Sequence, residues 1–588
     1  RVRLTLTSGW HEIAVLHEQD RSYQAVRLRI FLDGVRVPGY RLKPRSCPAL
    51  DGWLYTVIPL ALLRGAVLLC LCCGVLGAIR SFQGPLIRLQ DWLRARIRPL
   101  WWFRLAGILL SLAALCWFGH FRVRAVGAAD SYGYQESACR MGSGTPVQPE
   151  TVLWRLGLPP RDVRYTWPLG TYPMSAIGAT APGYQPGLPS LIVVLTRVLG
   201  DGAASWISPV SGAITIYLLF SLASGLFGPG TGLRAAVVFG ALPLTFYASI
   251  QRMSDGLNTC MLWVGLALAS RGRGDLGDFL AGLAAGYAVT IRPSSIVFLP
   301  VMFAAMSVRG GPYSRRLRSF LLGAASPLTA LLAYQDFVYG NPLATGYGDM
   351  SQFFSIINIP SRLLHYSVTA SSYFMPILLL PAVAGSLILI RTRRRCVFLL
   401  MAFPCLAAFY CCYEFHRPWW NERLMLPAVP ALVVLAILGA EWILNRLAVS
   451  RGRQAVLWLL VMLPACMYRA HVYNSDAYLY KAAAAESRYE EIGAWIDANL
   501  EPDAVVFSWL FSGAVRYYGA RQTVRWDLGP ERMTRRLLEA CRQRGVPAYL
   551  VVNESWRDTA LARLDCAAEL LWYRQNTFGY RLLPRNAE

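Results

Sequence analysis

Lysine is almost missing from this chain. Only Lys43 and Lys481 are lysines, and the rest of the 58 basic residues are arginines. Charge of either sign is scarce. Charged residues make up 16% of the 588 positions, where soluble domains carry about 25%. Acids number 34, which leaves a net charge of +24. No Cys/His set with metal-ligand spacing appears, and most of the 14 cysteines, Cys260 and Cys466 among them, lie in apolar runs where cysteine acts as a small hydrophobe. The region after residue 471 has no Gly-rich phosphate loop, no GxSxG elbow and no HExxH helix, so it carries no recognisable chemistry of its own. Together these absences exclude disorder, collagen, a disulfide mini-scaffold and a cytosolic enzyme of ordinary make-up.

Apolar sequence is what the chain has in excess. Hydrophobic residues reach 55% and the mean hydropathy is +0.37. Runs of membrane-spanning character fall near 54–78, 102–120, 204–227, 233–250, 255–270, 277–291, 296–308, 318–335, 369–391, 395–412, 423–444 and 454–471. That reads as a polytopic α-helical membrane protein of about 12 spans. Arginines cluster in alternate short loops, at Arg80 to Arg104, Arg234, Arg271/Arg273, Arg309 to Arg318, Arg391 to Arg395 and Arg446 to Arg453. The positive-inside rule makes that side cytoplasmic. The high basic charge therefore reports membrane topology and not nucleic acid. The segments 1–50, 121–203 and 336–368 and the tail 472–588 are then expected outside.

Two segments flank the membrane region of 51–471. In residues 1–50 the stretches 2–7, 9–15 and 25–32 alternate as strands, the last ending at the Asp33-Gly34 turn. The chain opens at Arg1 with no methionine and no signal peptide, and its first stretch reads as the end of something longer. Residues 472–588 change composition. Helices near 486–500 and 531–544 alternate with strands at 504–508 and 548–552, which predicts a small α/β domain with a mainly parallel sheet. Cys541 and Cys566 could pair there.

Four places could carry chemistry. Gly127-Ala128-Ala129-Asp130-Ser131-Tyr132-Gly133-Tyr134 follows the second span and sets one carboxylate near a membrane face, where it could serve as a general base. Met253-Ser254-Asp255-Gly256 opens a span, and acids at such places are costly and often functional. A helix N-cap is the competing reading of both. Arg292, in Thr290-Ile291-Arg292-Pro293, suits a phosphate through its planar fork, or else snorkels to headgroups. The segment from Glu414 to Pro427 holds His416, Trp419, Trp420 and Arg423, where the tryptophans could form an interfacial belt. All four places fall on one expected face, two acids with two arginines. Opposite charges there suit a site that grips a lipid phosphate and deprotonates a hydroxyl.

These segments resemble, in order, the integral-membrane glycosyltransferases of the GT-C fold that use polyprenyl-phosphate sugars, such as protein O-mannosyltransferases and aminoarabinose transferases. The motifs are Asp130-Ser131-Tyr132-Gly133-Tyr134, Thr180 to Pro189 with Tyr184, Ser254-Asp255, Arg292-Pro293, Tyr339-Gly340-Asn341-Pro342 and Arg423-Leu424-Met425-Leu426-Pro427. The N-terminal strands resemble the last strands of a protective-antigen-type β-sandwich, a module often linked to carbohydrate. The GT-C resemblance implies Asp130 as catalytic base, Asp255 in the sugar or acceptor pocket, and Arg292 and Arg423 on the lipid phosphate. Tyr132, Tyr184 and His416 are further expected substrate contacts. It implies residues 180–199 as a helix lying along the outer face, and an inverting transfer with no nucleotide. The chain has Asp130-Ser131 where several relatives have Asp-Glu, with Glu136 six residues on. A divalent metal is thus a possibility without an assigned ligand set.

The expected partners are a polyprenyl-phosphate sugar, an acceptor glycan, lipid or protein, and membrane lipid. The expected location is a bacterial inner membrane with the site extracytoplasmic. The alternative is a polytopic transporter or flippase, which would place ionisable residues near the bilayer midplane.

Overall fold

The computed structural model describes residues 13–20, 25–32, 35–36, 99–272, 274–309, 312–363, 376–393, 396–414 and 422–584. It divides into two units, Arg1–Leu86 and Ile87–Glu588.

In the first unit three strands form an antiparallel sheet in the order β1 (Ile13–Asp20), β2 (Ala25–Leu32), β3 (Val35–Arg36). Ile13 pairs with Leu32 and Asp20 with Ala25, so the alternating side chains of both strands keep one register. Strand β2 falls where the alternation puts it; of the strand expected at 9–15 only Ile13 to Val15 are described, and they belong to β1, which runs on to Asp20. The stretch 2–7 and the first expected span, 54–78, lie outside the described residues.

The second unit begins with α1 (Pro99–Phe121), followed by α2 (Asp130–Ser143), α3 (Gly187–Leu199), α4 (Ile207–Phe227), α5 (Pro229–Ala241) and α6 (Pro243–Ile250). Then come α7 (Ser254–Arg271), α8 (Gly274–Ile291), α9 (Tyr313–Tyr339), α10 (Pro376–Thr392), α11 (Phe398–Cys411), α12 (Val429–Arg446) and α13 (Gly452–Asp476). Among the described residues five helices are long and apolar enough to cross a membrane, or six if the bent pair α5 and α6 is one span. The chain is a multi-pass α-helical membrane protein. Several expected spans take a shorter form. Pro243 breaks 233–250 into α5 and α6 at 64°, and 296–308 is a 3-10 turn running into a short helix.

Small residues let these helices approach closely, as polar-free packing in a membrane demands. A side chain at Gly282 on α8 would strike the Phe320 carbonyl on α9, and one at Gly323 would strike Phe279. Helices α7 and α8 form a hairpin. Asp255 and Arg292 mark its open end, while Ala269 and Asp278 mark its closed end.

Beyond the hairpin's open end lies a polar layer of α2 and a three-stranded sheet, β4 (Gln148–Pro149), β6 (Ala179–Pro182) and β5 (Thr171–Met174). The C-terminal domain packs on it. Its elements are α14 (Ala482–Asn499), β7 (Val505–Ser508), α15 (Ser512–Tyr517), β8 (Gln522–Val524), α16 (Glu531–Gln543), β9 (Ala548–Asn553), β10 (Ala567–Arg574) and β11 (Thr577–Leu583). Helices and strands fall close to where the sequence puts them, but the sheet is mixed. Strand β7 is parallel to β8 and β9, whereas β11 is antiparallel to β9 and β10. The reason is a two-residue hairpin at Gln575-Asn576, both in the left-handed region at φ 47 and 57. Such a turn suits the strand twist, but Gln-Asn is a weak sequence signal for it beside Asn-Gly. Cys541 and Cys566 form no disulfide.

Candidate active site

Asp130 opens α2, and its local backbone is tightly held. Ala128 sits at φ 51, in the left-handed region that a non-glycine residue rarely adopts. Ser131 Oγ both accepts from the Gly127 N–H at 2.9 Å and donates to the Gly127 carbonyl at 2.6 Å, closing the turn. From outside, the Tyr489 ring of α14 abuts Gly127 and the Tyr132 ring abuts Gly513 of α15. A buried ion pair joins Arg516 to Glu150, and the Val126 N–H donates to Tyr518 Oη at 2.8 Å. The C-terminal domain thus braces the turn that carries Asp130.

Four charged groups meet at the open end of the α7–α8 hairpin. Arg423 Nη1 lies 2.7 Å from Asp130 Oδ2 and 3.8 Å from Asp255 Oδ2. Arg292 Nη2 lies 2.9 Å from Asp255 Oδ1. The other oxygen of Asp130 accepts from the Tyr184 hydroxyl. Arg292 Nε donates to Ser254 Oγ at 2.8 Å, which also accepts from Tyr134 Oη at 2.8 Å. Arg423 Nη1 also touches Met253 Sδ at 3.0 Å. Asp255 is the most enclosed member, with a side chain 2% exposed against 14% for Asp130.

Neither acid caps its helix. The N-cap positions are Ala129 and Met253, and neither bonds through its side chain. Both carboxylates turn toward arginine instead, so the capping reading of Asp130 and Asp255 does not hold. Burial by itself raises the carboxyl of Asp130. Arg423, the Tyr184 hydroxyl and Arg292 outweigh that and hold it below the ordinary 3.8. Burial and the neighbouring Asp130 raise the Tyr184 phenol well above its usual range, so it stays a proton donor.

Of the residues singled out in the sequence, Asp130, Asp255, Arg292, Arg423 and Tyr184 come together. Tyr132 does not. It is 1% exposed and lies against Gly513, because its side chain leaves the far face of α2. His416 lies outside the described residues. Glu136 is occupied by Arg140, whose Nε donates to it at 2.7 Å. Ser254 and Tyr134 hold Arg292, and Tyr410 closes the space beside it by donating to Ser294 Oγ at 2.7 Å. Tyr134 falls inside the Asp130 motif but was given no role of its own, and Tyr410 was not singled out, since a tyrosine in an apolar stretch gives no separate signal.

The free space beside Arg292, Arg423 and Asp255 is a cavity of about 10 Å³, room for about one water. A sugar therefore requires the cluster to open. A divalent cation does not suit this donor set. Each carboxylate already faces a guanidinium, and two fixed positive charges would repel the ion. Among the described residues no three His, Cys, Asp or Glu side chains gather into another metal site.

Such an arrangement can bind an anion at the paired arginines and present a carboxylate beside it. No family model and no curated protein matches the chain. It does have similar solved structures. ArnT from Cupriavidus metallidurans bound to undecaprenyl phosphate is 13% identical, with a TM-score of 0.49, over 81% of this chain and 97% of that one. The oligosaccharyltransferase AglB from Archaeoglobus fulgidus, with an inhibitory peptide and a dolichol-phosphate, is 11% identical, with a TM-score of 0.44, over 83% of this chain and 74% of that one.

Proposed function

We propose that the protein is a membrane glycosyltransferase that moves a sugar from a polyprenyl-phosphate donor to an acceptor hydroxyl at the extracytoplasmic face. The observation that carries this reading is the sharing of Arg423 between Asp130 and Asp255, beside Arg292. Two arginines within reach of one another suit a phosphate, which takes bidentate, charge-assisted hydrogen bonds. A carboxylate beside them suits a base.

The chemistry follows from the same contacts. With no donor bound, Arg423 occupies one oxygen of Asp130 and holds its proton affinity low. An arriving phosphate competes for that guanidinium. Asp130 then loses its main counter-charge and becomes a stronger base at the moment the donor is in place. The acceptor oxygen attacks the anomeric carbon, its proton passes to the freed carboxylate, and the bond from carbon to phosphate oxygen breaks. The lipid phosphate departs with its charge against Arg292 and Arg423. Tyr184 keeps the second oxygen of Asp130 oriented. In-line attack opposite a phosphate leaving group gives inversion. The cluster sits at the ends of α7 and α8 and not at their middles, which favours a transferase over a transporter.

The test is to supply labelled polyprenyl-phosphate sugars to membranes with and without the protein. Label appearing in a glycan, lipid or protein only with the intact chain supports the reading. Equal labelling in both membranes overturns it.

A further inference from the structure

A second and much larger cavity lies on the other side of α7. Asp255, Asn258 and Leu262 face the small space beside Arg292, whereas Leu257, Cys260 and Met261 face a cavity of about 800 Å³. At 3.6 residues per turn these two sets occupy opposite faces of the helix. The larger cavity runs between α3, the start of α4 and α7, and its size lies in the ~300–1,000 Å³ range of ligand sites. Its walls are apolar, with Leu195, Val210 and Ile214 prominent. Val210 and Ile214 are 39% and 42% exposed on a helix long and apolar enough to cross a membrane, so the cavity meets the lipid-facing side of α4.

One part of the wall is strongly basic. Arg122, Arg124 and Arg252 all line the cavity. Arg122 donates through Nη1 to the Gly119 carbonyl at 2.6 Å and lies over the Trp206 ring at 4.2 Å. Arg252 donates to the Arg124 carbonyl at 2.7 Å and to Gln135 Oε1 at 2.6 Å, which ties Arg252 to the segment that carries Arg124. None of the three forms an ion pair among the described residues, although Asp201 lines the same cavity. Arg124 is exposed and Arg122 and Arg252 are partly buried, so their guanidinia stay within reach of a headgroup at the mouth of the cavity. Three guanidinia with no ion pair among the described residues, beside an apolar, lipid-facing hollow, suit an amphipathic anion.

We propose that this cavity binds an anionic phospholipid of the surrounding leaflet. Its phosphodiester would lie against Arg122, Arg124 and Arg252, with an acyl chain between α3, α4 and α7. The opposite face of α7 separates it from the four-charge cluster, so the inference stands whether or not the transferase reading does. Polyprenyl phosphate and free phosphate share the headgroup chemistry and are the competing occupants.

The test uses the full chain in nanodiscs of equimolar phosphatidylglycerol and phosphatidylcholine. The protein is re-extracted and its retained lipids are counted by native mass spectrometry. We expect phosphatidylglycerol to be retained over phosphatidylcholine by about tenfold or more, given the attraction of several arginines for an anionic headgroup. Changing Arg122, Arg124 and Arg252 together to Gln should abolish the preference, and changing them to Lys should keep most of it. Ile214→Trp, which fills the apolar wall and leaves the arginines in place, should reduce retention and serves if the triple Gln variant fails to fold. Retention at the bulk ratio, an unchanged preference in both the Gln and Trp variants, or displacement of the lipid by stoichiometric polyprenyl phosphate or by millimolar inorganic phosphate would each overturn the proposal.

Discussion

The α7–α8 hairpin carries an aspartate–arginine cluster at each end, and the two are built differently. At the closed end Asp278 lies 2.6 Å from Arg309 Nη1 and 3.3 Å from Arg316 Nε. Arg316 also donates to the carbonyls of Met306 and Ala269, the latter at 3.2 Å. Arg316 is locked to backbone there, and the cluster ties the loop after α8 to the end of α7. At the open end, Arg423 is divided between two acids. Neither oxygen of Asp255 accepts a well-formed hydrogen bond, so charge alone holds it. An arginine bound to backbone carbonyls has nowhere else to go. One shared by two carboxylates can be taken by a phosphate at little cost, because the acid it leaves keeps another partner.

Asp130→Asn breaks the comparison most sharply. It should lower transfer by about 10³-fold or more while insertion is kept and melting falls only slightly, since general-base catalysis contributes about 10²–10⁴-fold. Near-normal turnover in the labelled-sugar assay would end the base assignment. Asp278→Asn should do the opposite. It leaves two buried arginines without their acid and should destabilise the chain by about 3–5 kcal/mol. Thermal melting in detergent reads the loss, and donor affinity of the folded fraction should not move. A weakened donor affinity with unchanged melting would mean the two ends are not distinct.

Arg423→Gln should weaken binding of polyprenyl phosphate by about 10- to 100-fold, the worth of one charge-assisted contact. Titration of the purified variant checks this, and unchanged affinity would sink the phosphate role. The smallest effect is in acid. The carboxyl of Asp130 is held below 3.8 in the folded chain. Its stabilising contribution is therefore fully present above the unfolded value and is lost as the pH falls through the lowered folded one. Melting of the wild type should approach that of Asp130→Asn only in that acid window. A difference that persists unchanged through that window would contradict the ion pair.

Much of this architecture was readable in the sequence. Apolar runs mark α1, α4, α9 and α12 because a membrane leaves little choice of residue, and the period change after 471 marks the α/β domain. The positions of Asp130, Asp255, Arg292 and Arg423 were also readable, since charge amid apolar sequence is conspicuous. Their partners were not. Ser254 reads as a cap until Arg292 is seen to claim it, and Tyr132 reads as a substrate contact until Gly513 is found against its ring. The bend at Pro243 and the β10–β11 hairpin depend on local backbone geometry that residue type signals weakly.

What the sequence alone determined is composition-driven: a chain this apolar must store its apolar excess in membrane-spanning helices, and the charges among them must lie near their ends. Only tertiary structure decided which charges meet. Asp130 and Arg423 are 293 residues apart, and their 2.7 Å contact arises from helix packing and from the brace that the C-terminal domain lays against Gly127 and Tyr132. Coulombic pairing acts through space, and no periodicity along the chain encodes it.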